Sequence, residues 1–581
     1  MRRRHEMPLG AEVLEDGETR FNLWAPAAED VDLVLEGDGI PMSRQEDGTF
    51  SLTTRAGAGT RYRFRIDGGE EVPDPASRSQ PDGVHGASAV VDPVSYEWRD
   101  WYPGGRPWEE VVLYELHVGT FTPVGTFAGV EGRLDHLVGL GVTAIELMPL
   151  SEFPGRRNWG YDGVLPFAPE STYGTPDELK NLVQSAHDRG LMVFLDVVYN
   201  HFGPEGNYLS RYAPQFFTDR YDTPWGAAVN FDGEGSGHVR EYFIHNALYW
   251  LEEYGFDGLR LDAVHAIKDS SETHFLDELA GRVREGPGHH RHVHLVLEND
   301  AKEARYLRGP YDAQWNDDLH HALHVVMTGE SAGYYADYAG EPVADLGRAL
   351  SGGFVHAEAP DTSLPPGVFV SFVQNHDQVG NRAFGERIGK LASPEAVRAA
   401  AEIYLLAPQT PMLFMGEEWN ADSPFPFFCD FGQDLAPLVA EGRRAEFAGF
   451  FEAEDADSIP DPGAEETFVR GKLDWASLDE QEHARHLELY RGLLALRRAE
   501  ILPRLGGSPG GESGYEAVGE RGLRVWWRLG DDSCLTLLAN LGPEPLDGVE
   551  RPPGKILYAG DGVAKDGPEL PGWSALWYLT G

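Results

Sequence analysis

Cysteine is nearly missing from this chain: two, Cys429 and Cys534, stand among 581 residues. Two thiols so far apart make neither a disulfide framework nor a zinc-ligand pattern. Long apolar runs are missing too. With no stretch of about 18 apolar residues, no segment is expected to span a bilayer. The basic opening Arg2-Arg3-Arg4 has no apolar stretch behind it, so it does not read as a secretory leader. Positive charge is scarce: 48 Lys and Arg against 95 Asp and Glu leave a formal net charge of −47. Such a surface repels phosphate backbones and anionic lipid, so neither nucleic acid nor a membrane is an expected partner. A neutral or cationic partner in a reducing, cytoplasmic setting is the expectation. What is present is ordinary for a globular chain with a sizeable core, at 41% hydrophobic and 25% charged residues.

The chain divides by pattern. Residues 1–95 read as a small β-sandwich: Phe21–Trp24 and Val31–Leu35 are rich in β-formers, and Arg61–Ile66 alternates before the turn Asp67-Gly68-Gly69. Residues 96–107 read as a linker. From 108 to 495 short apolar runs alternate with helix-like stretches. The runs are Val111–Leu116, Ala144–Met148, Met192–Val198, Gly258–Leu261, Val293–Leu297, Tyr311–Trp315, Val368–Val373 and Pro411–Met415. Runs this continuous suit strands buried on both faces. The stretch Pro176–Arg189, acidic in its first turn and followed by Gly190, shows the helical punctuation between them. Eight strand–helix units in order predict an α/β fold, a (β/α)8 barrel. Extra length at 199–240 predicts an excursion from its catalytic face. Residues 496–581 return to strands, as in Leu523–Leu529 and Cys534–Leu538 around Gly530-Asp531-Asp532, and predict a C-terminal antiparallel β domain.

Barrel enzymes carry their reactive groups at the carboxyl ends of strands, so the polar residues that close each run are the candidates. The third run leads to Asn200 and His201, the fourth holds Arg260 and Asp262 on one face, the fifth ends at Glu298, and the seventh at His376 and Asp377. Any one of these could be a loop start, a cap or a plain ion pair. Their convergence on neighbouring strand ends is the signal. Paired carboxylates in a cleft for a neutral substrate suit glycoside hydrolysis. Arg260, on the face of Asp262, would keep that carboxylate charged for attack, while the apolar approach Leu295-Val296-Leu297 favours a protonated Glu298. Asp377 would bind sugar hydroxyls and balance positive charge, with His201 and His376 donating to sugar oxygens.

Four segments, Asp196–His201, Gly255–Asp262, Leu297–Asp300 and Phe372–Asp377, resemble the four conserved regions of the α-amylase family, in the right order and on the right strands. The resemblance covers the whole chain and implies a retaining glycosidase with a carbohydrate-binding-like front module. Some members hold calcium near the third-strand segment, but nothing in this sequence demands a metal, and no cofactor is expected. It implies that Asp262 is the nucleophile, Glu298 the general acid and base, and Asp377 the transition-state stabiliser. Tyr161, in Asn158–Gly163, matches the aromatic residue under the sugar at the cleavage point, with core packing as the plain alternative. Trp315–His324, Phe372–Arg387 and Gly416–Trp419 are similar to the members that split maltooligosyltrehalose at the bond next to its trehalose. A functional link to a maltooligosyltrehalose synthase, with related α-glucans as substrates, follows from that likeness. His265, Asp317, Asp318 and Asn381 are then the candidates for meeting the second glucose of trehalose, although Asp317 and Asp318 could simply cap a helix. A glucan branching enzyme is the alternative within the family, and a silent glucan-binding protein is the alternative of another class.

Two histidine clusters carry metal-ligand residue types. His289–His294 lies in a Gly/Pro-containing approach and reads as a solvated loop. His320, His321 and His324 lack the Glu of a zinc helix motif and either line a groove or pack.

Overall fold

The computed structural model describes residues 2–99, 104–357, 361, 363–447 and 458–581. Residues 100–103 of the expected linker lie outside them. Each predicted apolar run forms a parallel strand: β1 (Leu113–Leu116), β2 (Ala144–Leu147), β3 (Met192–Val197), β4 (Gly258–Leu261), β5 (His294–Leu297), β6 (Ala313–Trp315), β7 (Phe369–Ser371) and β8 (Thr410–Phe414). Hydrogen bonding in chain order closes them into a barrel, β8 returning to β1. Helices wrap the outside. Helix α1 (Pro176–Asp188) begins with Thr175 and Glu178 in a reciprocal capping box and Pro176 in its first turn. It ends where Gly190 takes a positive φ of 76°.

Period-two alternation divides the barrel interior into layers. Leu113, Ala144, Phe194, Val296 and Trp315 belong to a buried apolar cluster inside the barrel. Two residues further along β1, β2 and β3 stand Glu115, Glu146 and Asp196, and Arg260 is the register partner of Asp196 on β4. All four are buried. Charge in this quantity inside a closed barrel is costly unless paired, and it lies directly beneath the loops that carry the candidate residues.

In front of the barrel, two antiparallel sheets form the sandwich, one led by Thr19–Trp24 and Thr49–Thr54, the other by Val31–Leu35 and Arg61–Ile66. Trp24 of the sandwich stacks on His238 of the barrel, 4.5 Å between ring centroids. Behind it, a five-stranded antiparallel sheet packs Trp527 and Trp577 against the barrel's flank, and their indole N–H groups donate to Leu350 O and Glu402 O. The excursion after β3 carries the hairpin Phe217–Thr223 and Gly226–Val229. Cys429 and Cys534 are both unpaired thiols. No helix among the described residues is long and apolar enough to cross a membrane.

Candidate active site

Arg260 is the centre of the site. Its guanidinium is completely buried; Nη1 donates to Asp196 Oδ2 at 2.7 Å and to Asp262 Oδ1 at 2.9 Å, and Nη2 donates to Glu298 Oε2 at 2.7 Å. The Trp315 ring covers it, 4.0 Å from its centroid. Burial works against the Arg260 charge, but Asp196 and Glu298 outweigh it and hold its pKa well above the usual value. Arg260 therefore does not serve Asp262 alone, as the alternation on β4 suggests. It ties both candidate carboxylates to one planar group.

Asp262 Oδ2 accepts from Asn200 Nδ2 at 3.0 Å, so each of its oxygens has a fixed donor. The next residue, Ala263, takes the left-handed conformation (φ 39°, ψ 50°), strained for a side chain with a Cβ. The strain has a visible use: Ala263 N–H donates to Glu298 Oε2 at 2.9 Å. The side chains of Asp262, Glu298 and Asp377 are 11%, 21% and 36% exposed, so all three reach solvent from one floor. Asn381 Nδ2 donates to Asp377 Oδ1 at 3.3 Å.

His376 lies beneath Asp377. Its Nε2 is 3.4 Å from Asp377 Oδ1, while Nδ1 and the backbone N–H of His376 are both held by Glu115. Burial opposes its charge, but Asp377 and Glu115 outweigh that and hold the imidazole up to about 9. Tyr161 stacks on this ring at 5.0 Å and donates its hydroxyl to Asp196 Oδ2 at 2.6 Å. Burial pushes Asp196 up to about 7 although Arg260 pulls the other way. Burial, with Glu115 beside it, pushes Glu146 far above the carboxylate range, and neither of its oxygens has a hydrogen-bond partner.

Not every expected sugar contact is placed for one. His201 has both ring nitrogens engaged, Nε2 with Tyr161 O at 3.0 Å and Nδ1 with Asn200 Oδ1, so the expected donation to a sugar is not available. Its ring instead supports Trp225, stacked at 4.6 Å. His265 accepts from Asp300 N at 3.2 Å. Asp317 is half-buried and accepts from Gln378 Nε2 at 3.2 Å. Burial first, then the charges of Glu298 and Asp377, push it up to about 7. Asp318 turns away from the cleft. It is buried, pairs with Lys302 at 2.8 Å, accepts from Tyr338 OH, and accepts from Val355 N at 2.8 Å. Nor does it cap helix α2 (Asp317–Thr328), because Asn316 does. Asp318→Ala would leave the Lys302 ammonium, 15% exposed, a hydroxyl and an amide without their partner, at a cost of about 3 kcal/mol. Calorimetry should show a lower unfolding temperature, while the ratio of rates on trehalose-ended and plain malto-oligosaccharides stays unchanged.

Of the histidine clusters, His320 and His324 are buried and bonded within the protein. His289, His290 and His292 are exposed, and His294 opens β5. Among the described residues no group of three or more His, Cys, Asp and Glu is placed to hold a metal ion.

Glu115, Asp196 and Trp225 are not among the residues expected from sequence, and Asn200 is named there without a role. An acidic residue inside a buried run was the available signal for Glu115 and Asp196, and Asn200 sits within a segment already singled out. Trp225 has none; only the folded hairpin brings it over His201, 46% exposed.

Comparison with known proteins accords with this geometry. Residues 73–222 match the alpha amylase catalytic domain, 8–93 carbohydrate-binding module 48 (isoamylase N-terminal domain), and 510–577 a domain of unknown function, DUF3459. The chain is 45% identical to a malto-oligosyltrehalose trehalohydrolase of Deinococcus radiodurans, over 85% of this chain and 83% of that one. It is 40% identical to one of a Rhizobium species, over 96% and 97%. A crystal structure from Salmonella typhimurium, described as a candidate alpha amylase, superposes with a TM-score of 0.94 at 42% identity, covering 99% of this chain and 100% of that one. A 1,4-alpha-glucan branching enzyme of Pseudoalteromonas atlantica is more distant, 27% identical over 70% of this chain and 62% of its own.

Proposed function

The chain belongs to the malto-oligosyltrehalose trehalohydrolase family of α-amylase-type glycoside hydrolases, and from that premise we propose how its cleft works. The reaction is hydrolysis, with retention, of the α-1,4 bond joining a malto-oligosaccharide to a terminal trehalose. The observation that carries the mechanism is the single guanidinium spanning Asp262 and Glu298. A bridge of that size favours the close carboxylate spacing of about 5 Å on which a covalent intermediate depends, over the wider gap that admits a water.

Asp262 attacks the anomeric carbon as the bond to the trehalose oxygen breaks, and Glu298 gives that oxygen its proton. Trehalose leaves. Glu298, now a carboxylate, takes a proton from water, whose oxygen displaces Asp262 and releases the malto-oligosaccharide in the α configuration. Asp377 stabilises the positive charge that develops on the sugar ring in both steps. His376 offers Nε2–H from beneath. Tyr161, steadied by Asp196 and His376, supplies a ring face, and so do two exposed rings, Trp225 over His201 and Tyr334, which lies within reach of the Asp377 and Asp317 charges. With Asp318 committed elsewhere, Asp317, Asn381 and His265 are the polar side chains left to meet the second glucose of trehalose. A site built to bond those hydroxyls leaves its own groups unpaired with an ordinary reducing end. The enzyme would act in the cytoplasm beside a maltooligosyltrehalose synthase that makes its substrate.

Incubation with maltotriosyltrehalose tests the reading. Equal amounts of trehalose and maltotriose are expected, the maltotriose first in its α form by NMR, with little change in the iodine colour of amylose. New α-1,6 links, or a β product, would overturn it.

A further inference from the structure

Glu115 occupies an unusual place. It lies inside the barrel at the end of β1, 1% exposed, in a run otherwise made of Leu113, Tyr114 and Leu116. A carboxylate there is costly to bury unless every oxygen is used. Both are. Oε1 is 2.5 Å from His376 Nδ1, and Oε2 accepts the backbone N–H of His376 at 2.9 Å. One carboxylate thus fixes both the ring plane and the main chain of the residue next to Asp377. Apart from Asp377 Oδ1, 3.4 Å from Nε2, the other contacts of His376 are rings: Tyr161 stacked on one face, Trp159 edge-on at 5.5 Å and Trp315 at 6.0 Å. Packing confines the imidazole, and Glu115 decides where its nitrogens point.

We propose that Glu115 is a positioning residue for the reaction: gripping His376 by ring and backbone, it sets where the His376 Nε2–H and the Asp377 carboxylate stand against the sugar. The inference rests on the reading of Asp377 and the cleft given above. Chemically, Glu115, His376 and Asp377 form a carboxylate–imidazolium–carboxylate chain running from the barrel interior to the cleft floor. The titratable and charged groups that face His376 are Glu115 from β1, Glu146 from β2, Arg260 from β4, His117 from the loop after β1, and its own neighbour Asp377; burial keeps Glu146 and His117 neutral. Arg260 works against a charge on His376, and the two flanking carboxylates work for it. Removing the Glu115 charge leaves Asp377 as the main support.

Glu115→Gln separates position from packing. The amide keeps the shape, its oxygen can still accept from His376 N–H, and its NH2 can donate to Nδ1 of a neutral imidazole. The sign of the pH effect follows from the raised pKa of His376. The imidazolium is complete below its unperturbed value of about 6.5 and is lost as pH rises through about 9. An α-maltotriosyl fluoride is the suitable substrate, because fluoride leaves without a proton and the alkaline limb then does not report the general acid. For wild type, kcat/KM should fall near pH 9. For Glu115→Gln the fall should come at least one pH unit lower, with kcat at pH 7 reduced about tenfold and KM within twofold. Glu115→Asp, which keeps the charge but retracts it, should lose kcat while its alkaline limb stays nearer that of wild type. Equal rates and an unmoved limb in Glu115→Gln would overturn the proposal, as would a loss matched by a fall in unfolding temperature with no shift in pH profile. A wild type that turns over the fluoride yet releases no trehalose from maltotriosyltrehalose would sink the functional reading instead, and the same comparison on the fluoride would still decide Glu115.

Discussion

Asp262→Asn should leave a folded protein that binds its substrate and does not turn it over. The expected loss in kcat on maltotriosyltrehalose is about four orders of magnitude or more, the scale seen when a covalent nucleophile is removed. The geometry explains why so small a change has so large an effect. An amide keeps the volume of the carboxylate, and its oxygen can still accept from Arg260 Nη1 where Asp262 Oδ1 now does, at 2.9 Å. It has no anionic oxygen with which to form the glycosyl bond. The NH2 would face Asn200 Nδ2, now 3.0 Å from Oδ2, so a modest local rearrangement is expected there. Arg260 remains paired with Asp196 and Glu298, and no buried charge is left alone. Binding by titration calorimetry should therefore persist with an affinity within about tenfold of wild type, while product release is undetectable. In Asp262→Ala, which opens the space that Asn still fills, added azide should enter from the vacated side and, on α-maltotriosyl fluoride, give a β-configured glycosyl azide. Turnover above about one per cent of wild type, in protein free of wild-type contamination, would remove Asp262 from its role.

Much of this arrangement could be read from the chain, and the reasons for the rest are specific. All eight barrel strands were legible because both faces are buried, so each appears as a largely apolar run, broken only by a few polar residues. Ser513–Val518 in the C-terminal sheet was not. It is an edge strand whose residues are half-buried or exposed, so nothing in Ser-Gly-Tyr-Glu-Ala-Val marks it. The carboxylates were legible because they close strands, where a barrel concentrates its chemistry. The direction of a side chain in the first turn of a helix is a different matter. Asp317 and Asp318 are adjacent in sequence and look interchangeable, yet one faces Glu298 and Asp377 while the other is buried against Lys302, Tyr338 and Val355. The groups that capture Asp318 come from 16 residues before it and from 20 and 37 residues after it, and local spacing says nothing about them. Likewise, alternation on β4 puts Arg260 with Asp262, but only barrel closure brings Glu298 of the neighbouring strand to the same guanidinium. His201 lost its expected sugar contact for the same reason: its partner Tyr161 belongs to another loop.

Glu298 should separate by leaving group. Glu298→Gln is expected to lower kcat on maltotriosyltrehalose by about a thousandfold, the usual worth of a well-placed acid, because the trehalose oxygen is a poor leaving group without a proton. The variant should fold. A glutamine oxygen can accept from Arg260 Nη2 and Ala263 N, as Oε2 does at 2.7 and 2.9 Å, leaving the amide nitrogen towards the cleft. On α-maltotriosyl fluoride the first step needs no acid, so its rate should stay within about tenfold of wild type. The second step then lacks its base, and a covalent maltotriosyl adduct on Asp262 should accumulate and be visible by mass spectrometry. Glu298→Ala goes further by opening space beside that adduct. Azide, an anion that needs no base, can enter it and displace Asp262 from the face that water would use. Two displacements at one carbon restore the starting configuration, so the product should be the α-azide, with turnover on the fluoride rising as azide is added. A β-azide from Glu298→Ala would mean a single displacement and no covalent step, and the division of roles between Asp262 and Glu298 would fall. Full activity of Glu298→Gln on maltotriosyltrehalose would do the same, because no other carboxyl on the floor is held between Arg260 and Ala263 to take over the proton.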